Sequence, residues 1–71
     1  MTDSKRLRDA IREKGLRYGY VAENLGITAY GFARKIDNKA EFRASEIAKL
    51  SKILGLTRSE RDEIFFAFNV D

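Results

Sequence analysis

Apolar residues recur along the 71-residue chain at spacings of three and four, the interval at which a helix buries one face. Leu7, Ala10 and Ile11 form the first stripe; with Asp3 or Ser4 as its cap and Gly15 as its stop, it predicts a helix from about Ser4 to Lys14. Lys5, Arg6, Arg8 and Arg12 fall on the other faces, and Lys5 and Asp9 stand at the i,i+4 spacing of an ion pair. Leu16 turns back into the core, and Val21, Ala22 and Leu25 make a second stripe. Gly26 tolerates the left-handed conformation that ends a helix, Ile27 folds under it as an apolar plug, and Thr28 is an N-cap for a third stripe of Phe32, Ala33 and Ile36. Asp37-Asn38-Lys39 reads as a turn, and Ala40-Glu41-Phe42 as a short connection anchored by Phe42. Ile47, Leu50, Ile53 and Leu54 mark a fourth helix ending at Gly55. At its start Arg43 or Ala44 is a poor capping residue, which predicts a frayed first turn. Leu56 is another plug, and Thr57-Arg58-Ser59-Glu60 is a capping box that opens a fifth helix. On that helix Ile64, Phe65 and Phe68 share a face that excludes Phe66.

Residues 17–37 form two of these helices around a turn of three or four residues that contains Gly26, which is the plan of a helix-turn-helix unit. In such a unit the second helix can enter the major groove of DNA. The pattern resembles the helix-turn-helix family of the lambda repressor and Cro. Ala22 is small where the two helices cross, and Leu25 closes the second stripe. Gly26 lies in the turn, Ile27 is the plug, Thr28 the cap, and Phe32 and Ile36 face inward from the second helix. Gly15-Leu16 before the unit and residues 36–39 after it match the family's flanks. Tyr18 stands where family members often carry Gln, and Asn38 where they often carry Gly. The resemblance implies an all-α, compact five-helix, lambda-repressor-like DNA-binding domain spanning residues 1–71, and a phage or bacterial transcriptional regulator.

Composition narrows the alternatives. Seventy-one residues are about enough for one small core. The chain has neither cysteine nor histidine, so thiolate and imidazole metal sites and the usual proton shuttle are missing. Ser45 with Lys49, or Ser51 with Lys52, is a weak nucleophile–base pairing without a Gly-rich oxyanion loop, and no enzyme activity or cofactor is expected. No apolar run has the length of a membrane span, which predicts a cytoplasmic protein. Residues 1–39 carry nine Lys/Arg against five Asp/Glu, whereas residues 40–71 carry five against six. The surplus of positive charge therefore lies in the half that holds the helix-turn-helix, as a surface facing a polyanion requires.

At about 100° per residue, Tyr30 and Arg34 project from the second helix of the unit opposite Phe32, Ala33 and Ile36. Ala29, Tyr30 and Arg34 are the candidate base readers: Ala29 offers a methyl contact and Arg34 two donors to guanine O6 and N7. Arg17, Tyr18, Thr28, Lys35, Asn38 and Lys39 are the candidate phosphate ligands. Arg17 is pointed, because a cation at a helix N-terminus opposes the helix dipole unless an anion joins it. The expected partner is a double-stranded, pseudo-palindromic operator bound by a homodimer, with Phe66, Phe68 and Val70 as the candidate dimer contact. No small-molecule ligand is indicated. The alternative function is a helical protein-interaction module that uses the aromatic C-terminal helix.

Overall fold

The computed structural model describes residues 1–66, which form five helices and, among them, no strand. These are α1 (Ser4–Lys14), α2 (Tyr18–Leu25), α3 (Ala29–Ile36), α4 (Ala44–Leu54) and α5 (Arg58–Phe65). Phe68 and Val70 lie outside the described residues.

Three of the helix ends share one local device. Gly15, Gly26 and Gly55 close α1, α2 and α4 in the left-handed conformation, and each is followed by a half-buried apolar residue, Leu16, Ile27 or Leu56. At the α2 end, the Gly26 N–H donates to the Glu23 carbonyl (3.0 Å) and the Ile27 N–H to that of Ala22 (3.1 Å). These bonds satisfy carbonyls the helix would otherwise leave open, while Ile27 covers the turn with apolar surface. At φ 76° a residue with a Cβ is strained, which is why glycine stands at this turn.

N-caps set the starts. Asp3 accepts from the Arg6 N–H, Thr28 from that of Gly31 (2.9 Å), and Thr57 from that of Glu60, whose own carboxylate accepts from the Thr57 N–H. The frayed start expected for α4 is corrected by Glu46. Its carboxylate accepts from the Arg43 N–H (2.8 Å), half of a capping box supplied from the third position of the helix, so no capping side chain is needed at Arg43 itself. The expected Lys5–Asp9 pair is present at 2.9 Å.

The core joins Leu7 and Ile11 of α1, Val21, Ala22 and Leu25 of α2, Phe32 and Ile36 of α3, Leu50 and Leu54 of α4, and Ile64 and Phe65 of α5. Through it runs a row of edge-to-face rings, Tyr18–Phe32–Phe42–Phe65, with centroids 6.0, 6.1 and 5.5 Å apart. Each contact adds about 0.5–1.5 kcal/mol beyond the area it buries. Phe42, in the α3–α4 connection, thereby links α3 to α5.

Candidate functional site

The two short helices α2 and α3 pack against each other, with α1 and α4 behind them: α2 touches α3 and α4, and α3 touches α1. Ala22 is 1% exposed, and Phe32 and Ile36 are fully buried. The inward set of α2 and α3 therefore lies where the apolar period puts it.

On the outer side of α3, Ala29, Tyr30 and Arg34 are exposed, and Tyr30, at 74%, is the most exposed large hydrophobic side chain among the described residues. The Arg34 guanidinium donates to the Lys39 carbonyl at 3.2 Å. One bond steadies the side chain across the turn after α3 and leaves most of its five donors for another partner. Lys39 is exposed and lies beside it in the same turn. Arg17 is the N-cap residue of α2, is exposed, and makes no side-chain capping bond. The first turn of α2 carries no acidic residue, so its open N–H groups start beside a cationic residue and no carboxylate of their own helix. Tyr18 lies next to it, its ring edge against Phe32 and its residue about one-third exposed (38%). The Thr28 hydroxyl serves as cap to α3 and has an acceptor role toward the Gly31 N–H. A Cβ at Gly31 would stand 3.2 Å from that hydroxyl, so the glycine leaves room for the cap.

Two of the expected phosphate ligands are engaged within the protein. Lys35 points from α3 to α4, where its ammonium lies 2.6 and 2.7 Å from the two carboxylate oxygens of Glu46. The two side chains are only 14% and 7% exposed. Asn38 adopts φ 63° and spends both ends of its amide on Thr2: the Thr2 N–H donates to Oδ1 (2.9 Å) and Nδ2 donates to the Thr2 carbonyl (2.8 Å). Thr2 is buried by this contact. Beside it the Ser4 hydroxyl donates to the Ile36 carbonyl (2.5 Å) and Arg8 pairs with Asp37 (2.6 Å). The start of α1 therefore holds the end of α3. Asn38→Gly keeps the left-handed turn without strain but removes both amide bonds; a stability loss of about 1 kcal/mol is expected in chemical denaturation, while Asn38→Ala, strained as well, loses more.

Glu46, Thr2 and Ser4 are the residues of this region that the periodic pattern does not single out. Glu46 had one legible signal, an acid at the third position of a helix that lacks a capping side chain. The Thr2–Asn38 pairing has none, since the partners are 36 residues apart.

Burial alone pushes the Glu46 carboxyl up, but the hydrogen bonds from Lys35 and the Arg43 N–H, with the charges of both residues, hold it below its ordinary value. A carboxylate lowered on folding stabilises the protein fully above its unfolded value of about 4.3, and that contribution is lost as pH falls through the lowered folded value. Acid unfolding of Glu46→Gln should accordingly depend less steeply on pH below about 4 than that of the unsubstituted protein. Equal slopes in paired urea titrations between about pH 2 and 5 count against a charged Glu46.

Phe66 is the C-cap residue of α5 and is 40% exposed, off the face that buries Ile64 and Phe65. No helix among the described residues is long and apolar enough to cross a membrane. Comparison of the chain with protein-family models, with curated proteins and with solved structures finds no match.

Proposed function

We propose that the protein binds double-stranded DNA sequence-specifically as a transcriptional regulator of the lambda repressor and Cro type, with α3 as the recognition helix in the major groove. One observation carries this reading. An eight-residue helix, tied at both ends and packed through Phe32 and Ile36, presents Ala29, Tyr30 and Arg34 outward on a single side, directly after a glycine turn from a second short helix.

The roles follow from chemistry. Arg34 reads guanine by two donors, Ala29 and Tyr30 make methyl and edge contacts to neighbouring bases, and Arg17, Tyr18, Thr28 and Lys39 hold phosphates on either side. The basic half of the chain supplies the sequence-independent attraction. A domain this small covers few base pairs, so two copies on a pseudo-palindrome, with recognition helices about 34–36 Å apart, make the complete reader. Phe66 is the described residue suited to their contact.

Selection of bound sequences from a random duplex library, followed by titration of the selected duplex against random duplex at several salt concentrations, tests the proposal. Expected are a preferred, symmetric site and binding that weakens steeply with salt. Absence of duplex binding even at low salt would refute it.

A further inference from the structure

Glu46 is a buried charge that none of the proposed DNA contacts uses. It joins two elements whose backbones otherwise approach little: α3 packs closely on α1 and α2, and α4 on α1, α2 and α5. Between α3 and α4 the polar connection is the Lys35 ammonium held by both Glu46 oxygens, one of which also accepts from the Arg43 N–H. A carboxylate with three short bonds has little freedom to move, and a lysine held bidentately is fixed in turn. Lys35 adjoins Arg34 in the last turn of α3. Any rotation or lift of that turn moves the guanidinium relative to the rest of the surface.

We propose that Glu46 is a positioning residue for α3: by holding Lys35 it fixes the last turn of α3 against the first turn of α4 and so sets the direction in which Arg34 points. Lys35 then belongs to the scaffold and contacts no phosphate. The consequence for DNA affinity rests on the function proposed above; the consequence for the order of α3 does not.

Glu46→Gln retains a side-chain oxygen for the Arg43 N–H but removes the charge that holds Lys35, and Lys35→Met removes the ammonium while keeping the apolar stem. Two measurements on these variants decide the matter at a temperature where circular dichroism shows them folded. In amide hydrogen exchange on the free protein, the Asp37 N–H, which closes α3 on the Ala33 carbonyl, should exchange about three- to tenfold faster relative to the amides of α1 and α5. In titrations with the selected duplex, both variants should bind about three- to tenfold more weakly with an unchanged salt slope.

If Lys35 is instead a phosphate ligand restrained by Glu46, the signs differ. Glu46→Gln would then bind more tightly, and Lys35→Met would lower the salt slope by about one counterion. Either result overturns the proposal, as does an acceleration of exchange spread evenly over all five helices. Should the unsubstituted protein bind no duplex, the DNA function falls, and the exchange pattern still decides the positioning role.

Discussion

Phe32→Ala is expected to unfold most of this domain at room temperature or leave it only marginally folded. The ring is fully buried and lies between Tyr18 and Phe42 in the aromatic row that joins α2, α3 and the α3–α4 connection. Removing a buried phenyl group costs about 3–5 kcal/mol through lost transfer energy and the cavity left behind. Domains have about 5–15 kcal/mol in total, and one of this size sits low in that range. An eight-residue helix such as α3 has too little intrinsic stability to persist without its packed face. Thermal unfolding followed by circular dichroism should show the midpoint lowered by roughly 10–30 °C. Tyr18→Phe, which keeps the ring contact and removes only the hydroxyl of an exposed residue, is the matched control and should shift it little. A Phe32→Ala midpoint within a few degrees of the unsubstituted one would mean that the aromatic row does not hold α3.

If the protein reads DNA as proposed, Arg34→Ala should leave the fold intact and change that reading. The guanidinium is exposed, and its one bond within the protein, to the Lys39 carbonyl, is a surface bond of small net worth. A two-donor contact to guanine is worth about 1–3 kcal/mol of discrimination, so affinity for the selected duplex should fall by about 5- to 150-fold and the preference at one base position should flatten. Arg17→Ala behaves otherwise if it holds a phosphate. It should weaken all duplexes about equally and lower the salt slope by about one counterion. Uniform weakening by Arg34→Ala, with the base preference unchanged, would assign it to the backbone and leave Tyr30 as the base reader.

The stops and starts of the helices were legible because their signals are local. Gly26 with Ile27, Thr28 before Ala29, and Thr57 with Glu60 act within a few residues, through backbone groups that any helix end leaves open. The buried faces were legible for a related reason. With five helices of eight to eleven residues, each must bury the stripe its apolar spacing defines, and no other stripe exists to compete. The exposure of Tyr30 and Arg34 follows directly as the complement of Phe32 and Ile36. For the site, then, the sequence determined which side of α3 faces outward and which side chains it carries.

Which of the polar residues near that side are free was decided only by the tertiary structure. The sequence reads Lys35 and Asn38 as phosphate ligands, whereas in the structure Lys35 meets Glu46 eleven residues on and Asn38 meets Thr2 thirty-six residues back. Sequence spacing does not encode such pairings, because they depend on the angle and depth at which separate helices pack. The first turn of α4, read as frayed from its missing cap, is anchored by Glu46 three residues on, a local signal, but the lysine that neutralises this acid comes from α3. Local chemistry specifies helix ends and faces within a few residues; the partner of a long polar side chain is set only once the core has brought distant turns together, where burial makes an unpaired charge too costly to leave.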